Sequence, residues 1–394
     1  MVIEAFAIAG FIVLLGFLAN YTFRKTGLPD IIFLIVLGLL IGPIFGIIDV
    51  SSLEPVSPVL TALALITILF TSGLNLNFRK VMQEAPLATV LALTAMFASV
   101  MVLSSVFYWL MGWSLLKSIL VGVILGGTSS SIVIPLIERV KIREDARLLL
   151  ILESALTDAI IVIVALALIQ LVNFPDTNQL VAAARNIASA FSVGAVFGTI
   201  LGLIWIRVLH FLKNEPYDDI LTLFILLLFF AVTEFLGGNG AIFALTFGLV
   251  LGNGVRIGNF FGMKDVVEAG TMMKKFQAEI SFFIRTFFFV YIGMMFVVKE
   301  YLAVVLGLGL AALLLLARAV TVTFVTVNNE YLKRQRKILS YMIPRGISAA
   351  IVAKIAYDHG ILSPFDFDVV VSTILITVLI AAVGVYRVVR LRRA

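Results

Sequence analysis

The chain has 394 residues, of which 62% are hydrophobic and only 13% charged, and its mean hydropathy is +1.15. A soluble domain needs roughly a quarter of its residues charged to cover its surface, so this composition excludes one and turns the missing polar surface toward lipid. With no cysteine, disulfides and thiolate metal sites are excluded too, and with His210 and His359 far apart in the chain a histidine metal cluster is not expected; the net charge of +6 is read by its location rather than as a sign of nucleic acid.

A helix needs about 20 apolar residues to cross the hydrocarbon core. Dividing the chain at charge clusters, Pro and Gly predicts thirteen spans: 3–23, 28–48, 56–75, 86–111, 115–137, 146–172, 185–212, 218–236, 239–256, 274–298, 301–327, 337–357 and 366–387. The first run lacks a basic n-region and is long enough to span, so it reads as a helix rather than a cleavable signal. Gly237, Gly238 and Gly240 mark either a turn or a kink within 218–256.

The basic residues test this division. Twenty-two of the 29 fall in alternate loops, in clusters at 24–25, 79–80, 139–147, 207–213, 256–275, 333–337 and 387–393. Only Lys117, Arg185 and Lys299 fall in the opposite loops, and Arg285, Arg318, Arg345 and Lys354 lie inside or near spans. By the excess of Lys and Arg on the cytoplasmic side, the N-terminus is expected outside and the C-terminus inside.

Ionisable groups within a bilayer are costly, so each is a candidate site. The sixth span reads Leu152-Glu153-Ser154-Ala155-Leu156-Thr157-Asp158, with Asp158 near its middle. Helical spacing puts Ser154 and Asp158 on one face, and Glu153 and Thr157 on another about 100° round. Such an oxygen-rich set suits a hard monovalent cation, and a carboxylate also carries a proton. The competing reading makes the acids structural, which fits Glu153 better than Asp158. The fifth span contains Gly126-Gly127-Thr128-Ser129-Ser130-Ser131 and Pro135, and the twelfth Ile343-Pro344-Arg345-Gly346-Ile347-Ser348. Glycine, proline and hydroxyls at mid-depth predict broken helices, tolerated only where the unwound backbone is buried or lines a cavity. The fifth and twelfth spans occupy matching places if 1–172 and 218–394 are inverted six-helix repeats joined by a linking helix over 185–212.

These features resemble the cation–proton antiporter superfamily over essentially the whole length. The resemblance rests on Gly27-Leu-Pro with Gly38-Leu-Leu-Ile-Gly-Pro43, on Leu69 to Arg79, on Phe288-Phe-Val-Tyr-Ile-Gly-Met294, on Glu153-Ser with Thr157-Asp158, and on Arg345-Gly346. The last two are similar to motifs of the electroneutral, NhaP-like branch. Thr157 departs from that branch's Asn, and the Thr128-to-Ser131 run is more like Kef-type potassium efflux relatives. The resemblance implies an all-α polytopic membrane fold with two broken helices crossing near the midplane. Asp158 becomes the alternately protonated and cation-bound carboxylate, with Ser154, Thr157, Thr128 and Ser129 beside it. Glu153 is a structural acid held by Arg345 or by Arg285, and Arg318 is structural, snorkelling or bonding broken-helix carbonyls.

The expected activity is electroneutral 1:1 exchange of Na⁺ or K⁺ for H⁺, serving pH homeostasis, by a homodimer in the plasma membrane with no cofactor. The alternatives are a regulated Kef-type K⁺ efflux system, with a cytoplasmic domain following Arg392-Arg393-Ala394, and a solute:sodium symporter of related architecture. An enzyme is not expected, because no nucleophile–base pair or metal ligand set is apparent.

Overall fold

The computed structural model describes residues 2–26, 28–76, 86–138, 140, 142–172, 177–211, 218–260, 271–296, 301–327 and 329–391. Of the loop residues that carry the charge bias, Arg79, Lys80, Arg139, Lys141, Lys213, Lys264, Lys299, Arg392 and Arg393 lie outside the described residues. Among those described, seven helices are long and apolar enough to cross a membrane, and four shorter apolar helices accompany them.

In chain order the helices are α1 (Val2–Thr26), α2 (Asp30–Leu39), α3 (Ser57–Asn75), α4 (Pro86–Met111), α5 (Leu115–Ile124), α6 (Ser130–Ile137), α7 (Glu144–Val172), α8 (Thr177–Phe211) and α9 (Asp218–Phe235). They continue as α10 (Gly240–Gly252), α11 (Gly254–Phe260), α12 (Thr271–Met295), α13 (Tyr301–Val325), α14 (Glu330–Lys333), α15 (Arg336–Tyr341), α16 (Ile347–Asp358) and α17 (Pro364–Leu391). A π-helical turn, Leu40–Ile44, extends α2 and takes in Pro43, which lacks the N–H of a regular turn. The glycines between 237 and 240 make a turn, not a kink: Gly237 has φ +76°, and Asn239 caps α10 by accepting Ile242 N–H at 2.9 Å.

The chain divides into two compact units interleaved along the sequence. The first comprises residues 1–61, 85–165 and 283–394, the second 62–84 and 166–282.

In the second unit α10 packs on α8 and α9. Gly194, Gly198 and Gly202, four residues apart on α8, admit the backbone or side chains of Asn239, Phe243, Thr246 and Val250. Lipid tails are as apolar as leucine, so close approach at small residues, rather than exclusion of water, holds such helices together.

In the first unit α13 packs against α4, α15 and α17, and α5 contacts α4 and α16. The expected spans at 115–137 and 337–357 are each two short helices separated by unwound backbone. Pro344 has no N–H to donate and biases Ile343 away from helix, which ends the first half of the second pair. Gly346 is required by proximity: a Cβ there would run into the Ser129 side chain. At the crossing, Ser129 N–H donates to the Pro344 carbonyl at 2.9 Å.

Helices α2 and α12 also meet at glycines, since a Cβ on Gly38 would overlap the Val290 carbonyl and one on Gly293 the Ile35 carbonyl. Overpacking at such a backbone contact costs about 1–3 kcal/mol. Gly38→Ala should therefore lower the thermal unfolding midpoint in detergent, whereas Gly10→Ala, with open space around it, should leave it unchanged. Equal midpoints for the two variants would show that the α2–α12 contact does not contribute to stability.

Candidate ion-binding site

Asp158 lies on α7 and is only 3% exposed. Its Oδ2 accepts the Ser130 N–H at 2.8 Å and the Ser130 hydroxyl at 2.6 Å, and its Oδ1 accepts the Ser348 hydroxyl at 2.7 Å. Ser130 is the first residue of α6 and Ser348 the second of α16. Both broken helices thus present an N-terminal turn to one carboxylate, where unpaired N–H groups and the helix dipole favour negative charge. No basic side chain bonds Asp158 among the described residues. The two hydroxyls donate to the carboxylate here. Rotated about their C–O bonds they offer lone pairs, so the same oxygens can surround a small cation.

The residues expected beside Asp158 are near it in sequence but perform other tasks. Ser154, fully buried, turns its hydroxyl back to the Ile151 carbonyl at 3.1 Å and makes no bond to Asp158. Thr157 accepts Thr128 N–H at 3.2 Å and donates to the Thr128 carbonyl at 3.1 Å, fastening α7 to the unwound segment. Thr128 therefore meets α7 through its backbone. The Ser129 hydroxyl pairs with Ser131 at 3.0 Å. The oxygens around Asp158 come instead from Ser130 and Ser348. Both stand in the hydroxyl-rich strings that mark the broken helices, but only the residue at which each half-helix begins decides which serine faces the carboxylate.

The expected partners of Glu153 are corrected by the structure. Glu153, 1% exposed, is held through both carboxylate oxygens by Arg318 of α13, with Nη2 to Oε2 at 2.6 Å. Arg318 Nε also donates to the Leu339 carbonyl of α15 at 3.1 Å, which satisfies the broken-helix part of its expected role. Arg345 instead donates through Nη1 to the Gly127 carbonyl in the first interruption, and its backbone N–H bonds the Thr377 hydroxyl at 3.2 Å. Arg285 bonds Asp30 on α2, Nη2 to Oδ2, at 2.8 Å. The physical reason is reach. Arg345 sits at the crossing, where an unwound carbonyl needs a donor, while Arg318 approaches from a separate helix with its guanidinium fork free for a bidentate grip. Asp30, 3% exposed, is a buried acid that the sequence does not single out, because it follows Pro29 at a predicted span end. Lys354 is also buried, with its ammonium bonded to Asp358 and lying 5.5 Å from the Tyr291 ring centroid.

Comparison with known proteins bears on this geometry. The Na(+)/H(+) antiporter ApNhaP of Aphanothece halophytica is 27% identical over 270 residues, which is 68% of this chain and 49% of that protein; the chain spans about half the length of this curated relative. The structure of the sodium proton antiporter MjNhaP1 from Methanocaldococcus jannaschii at pH 8 superposes with a TM-score of 0.78 at 19% identity, covering 97% of both chains. A second structure of that protein, from an electron-microscopy map, gives a TM-score of 0.76 at 19% identity over 97% of this chain and 96% of that one. These likenesses show a shared all-helical fold. The transmembrane sodium/hydrogen exchanger family matches residues 10–391, and the chain, a multi-pass membrane protein, belongs to that family.

Proposed function

We propose that the chain exchanges a monovalent cation, Na⁺ or K⁺, for a proton, one for one, by competition at Asp158. One observation carries this reading. Of the four buried carboxylates among the described residues, Asp30, Glu153 and Asp366 have fixed cationic partners in Arg285, Arg318 and Lys117. Asp158 is bonded only to hydroxyls and an amide. An unpaired charge in a low-dielectric interior is expensive. Movement of the site across the membrane is then permitted when Asp158 holds a proton or a desolvated cation, and opposed when it holds neither.

The same observation supports electroneutrality. Glu153 is held through both oxygens by Arg318, and Thr157 carries a hydroxyl where a second exchanging acid would be needed. A single carboxylate thus changes occupancy. The name of the curated relative favours Na⁺ as the first ion to test. The two half-helix N-termini at Asp158 support inverted repeats over 1–172 and 218–394. The alternation of basic loops supports an outside N-terminus and a cytoplasmic C-terminus, and a homodimer in the plasma membrane completes the reading.

Three measurements test it. Asp158→Asn should fold normally yet abolish Na⁺- or K⁺-driven proton movement in proteoliposomes, and exchange near the parent rate would end the assignment. Glu153→Gln should cost about 3–5 kcal/mol, because Arg318 is left buried and unpaired, and its melting point in detergent should fall below that of Asp158→Asn. The reverse order would exchange the two roles. Finally, exchange driven by equal chemical gradients should run at the same rate with the membrane potential held at zero or strongly negative. A voltage-dependent steady state would implicate a second titrating group.

A further inference from the structure

A cavity of about 500 Å³ lies within the first unit, beside α6. Asn20 of α1, Asp30 of α2 and Arg285 of α12 line it together with Ser131, Pro135 and Glu138. The last three are spaced by four and three residues, so they form one face of α6 and its C-terminal end. That face runs from exposed Glu138 up to Ser131. Ser131 is the residue after Ser130, whose amide and hydroxyl hold Asp158. The cavity therefore extends along the half-helix from its solvent end to the first turn, which carries the ion site.

Its charged lining is unusual. Asp30 and Glu138 are acidic, and Arg285 is the single base among the described lining residues. The Arg285–Asp30 pair differs from the Arg318–Glu153 pair in two respects. It is held by one hydrogen bond, leaving Arg285 Nε without a partner. Arg285's side chain is 19% exposed, against 3% for Arg318. A two-pronged pair restrains the guanidinium more than a one-pronged pair does. Arg285 is thus a tethered cation in a cavity whose other charged lining residues, among those described, are acidic. A cation passing along α6 meets its repulsion and the attraction of the two carboxylates.

We propose that this cavity is the access vestibule to Asp158 and that Arg285, balanced by Asp30, is a specificity-determining residue that sets its charge and hence the apparent affinity for the cation. The inference rests on the proposed exchange at Asp158. Removing Arg285 makes the lining more negative by one charge and raises the local cation concentration. Removing Asp30's charge does the reverse, and removing both restores the parental balance. A narrow cleft with low-dielectric walls focuses such fields, and salt screens them.

The absence of native cysteine makes a direct test available. Asn20→Cys provides one reporter thiol in the vestibule, and its reaction rates with a cationic and an anionic methanethiosulfonate are compared at pH 8.5 in detergent. The cation-to-anion ratio should rise about threefold to tenfold in Arg285→Gln, fall in Asp30→Asn, and return toward the parent in Asp30→Asn/Arg285→Gln. These differences should shrink at high salt. In proteoliposomes at pH 8.5, where protons compete least for Asp158, KM for Na⁺ should fall about twofold to fivefold in Arg285→Gln and return in the double variant, with kcat nearly constant. An unmoved labelling ratio overturns the proposal, as does a double variant that behaves like Arg285→Gln, or a shifted ratio with unchanged KM. Failure of the exchange reading is distinguishable: the parent would then show no cation-dependent proton flux while the labelling pattern stood.

Discussion

The hydrogen bond from Ser129 N–H to the Pro344 carbonyl joins two chain segments that have left the helix, and the candidate site depends on it. Were residues 115–137 one continuous helix, the Ser130 N–H would be spent on the carbonyl four residues back and Asp158 would lose its amide donor. Because α6 begins afresh at Ser130, that N–H is free. Unwound backbone inside a membrane is tolerated only if its polar groups find partners within the protein, and here several are accounted for. Thr157 takes the Thr128 amide and carbonyl, Arg345 takes the Gly127 carbonyl, and the Thr377 hydroxyl takes the Arg345 amide. Gly127 and Gly346 leave the room these contacts need, since a Cβ at Gly127 would lie 2.7 Å from the Thr157 Cβ.

Around this crossing the fixed charges are arranged by how tightly each is held. Arg318 grips both oxygens of Glu153 and also a carbonyl of α15, so it ties α7, α13 and α15 together. Breaking such a dry, bidentate pair strands a buried charge. Lys117 and Asp366, bonded at 2.7 Å, join the start of α5 to α17. Asp158 is the exception, a buried carboxylate served only by groups that are neutral. Neutral donors hold the carboxylate without cancelling its charge, and the proposed exchange turns on that difference.

Much of this was legible in the sequence, for identifiable reasons. Apolar run length and the alternation of basic loops marked the helical stretches, because backbone hydrogen bonding in lipid permits only closed helical or barrel spans. Proline and paired glycines marked both interruptions, since those residues alter the backbone locally and need no knowledge of neighbours. Asp158 stood out because a carboxylate in the middle of a 27-residue apolar run is costly wherever the other helices lie.

Pairing was decided by the tertiary structure. Arg285, Arg318 and Arg345 look alike in sequence, each an arginine in an apolar span, and their spacing from Glu153 in the chain says nothing about distance in space. Only the tertiary packing brings Arg318 of α13 to Glu153 of α7, and only the crossing of the broken helices gives Arg345 a carbonyl to serve. The same holds for the hydroxyls. Ser154 is four residues from Asp158 and one helical turn away, yet its hydroxyl returns to its own backbone, while Ser348, 190 residues distant, donates to the carboxylate. Sequence determines which residue types lie at mid-depth, because burial and backbone chemistry are local in the chain. Which of them touch depends on the register of separate helices, and that is established only when the helices pack.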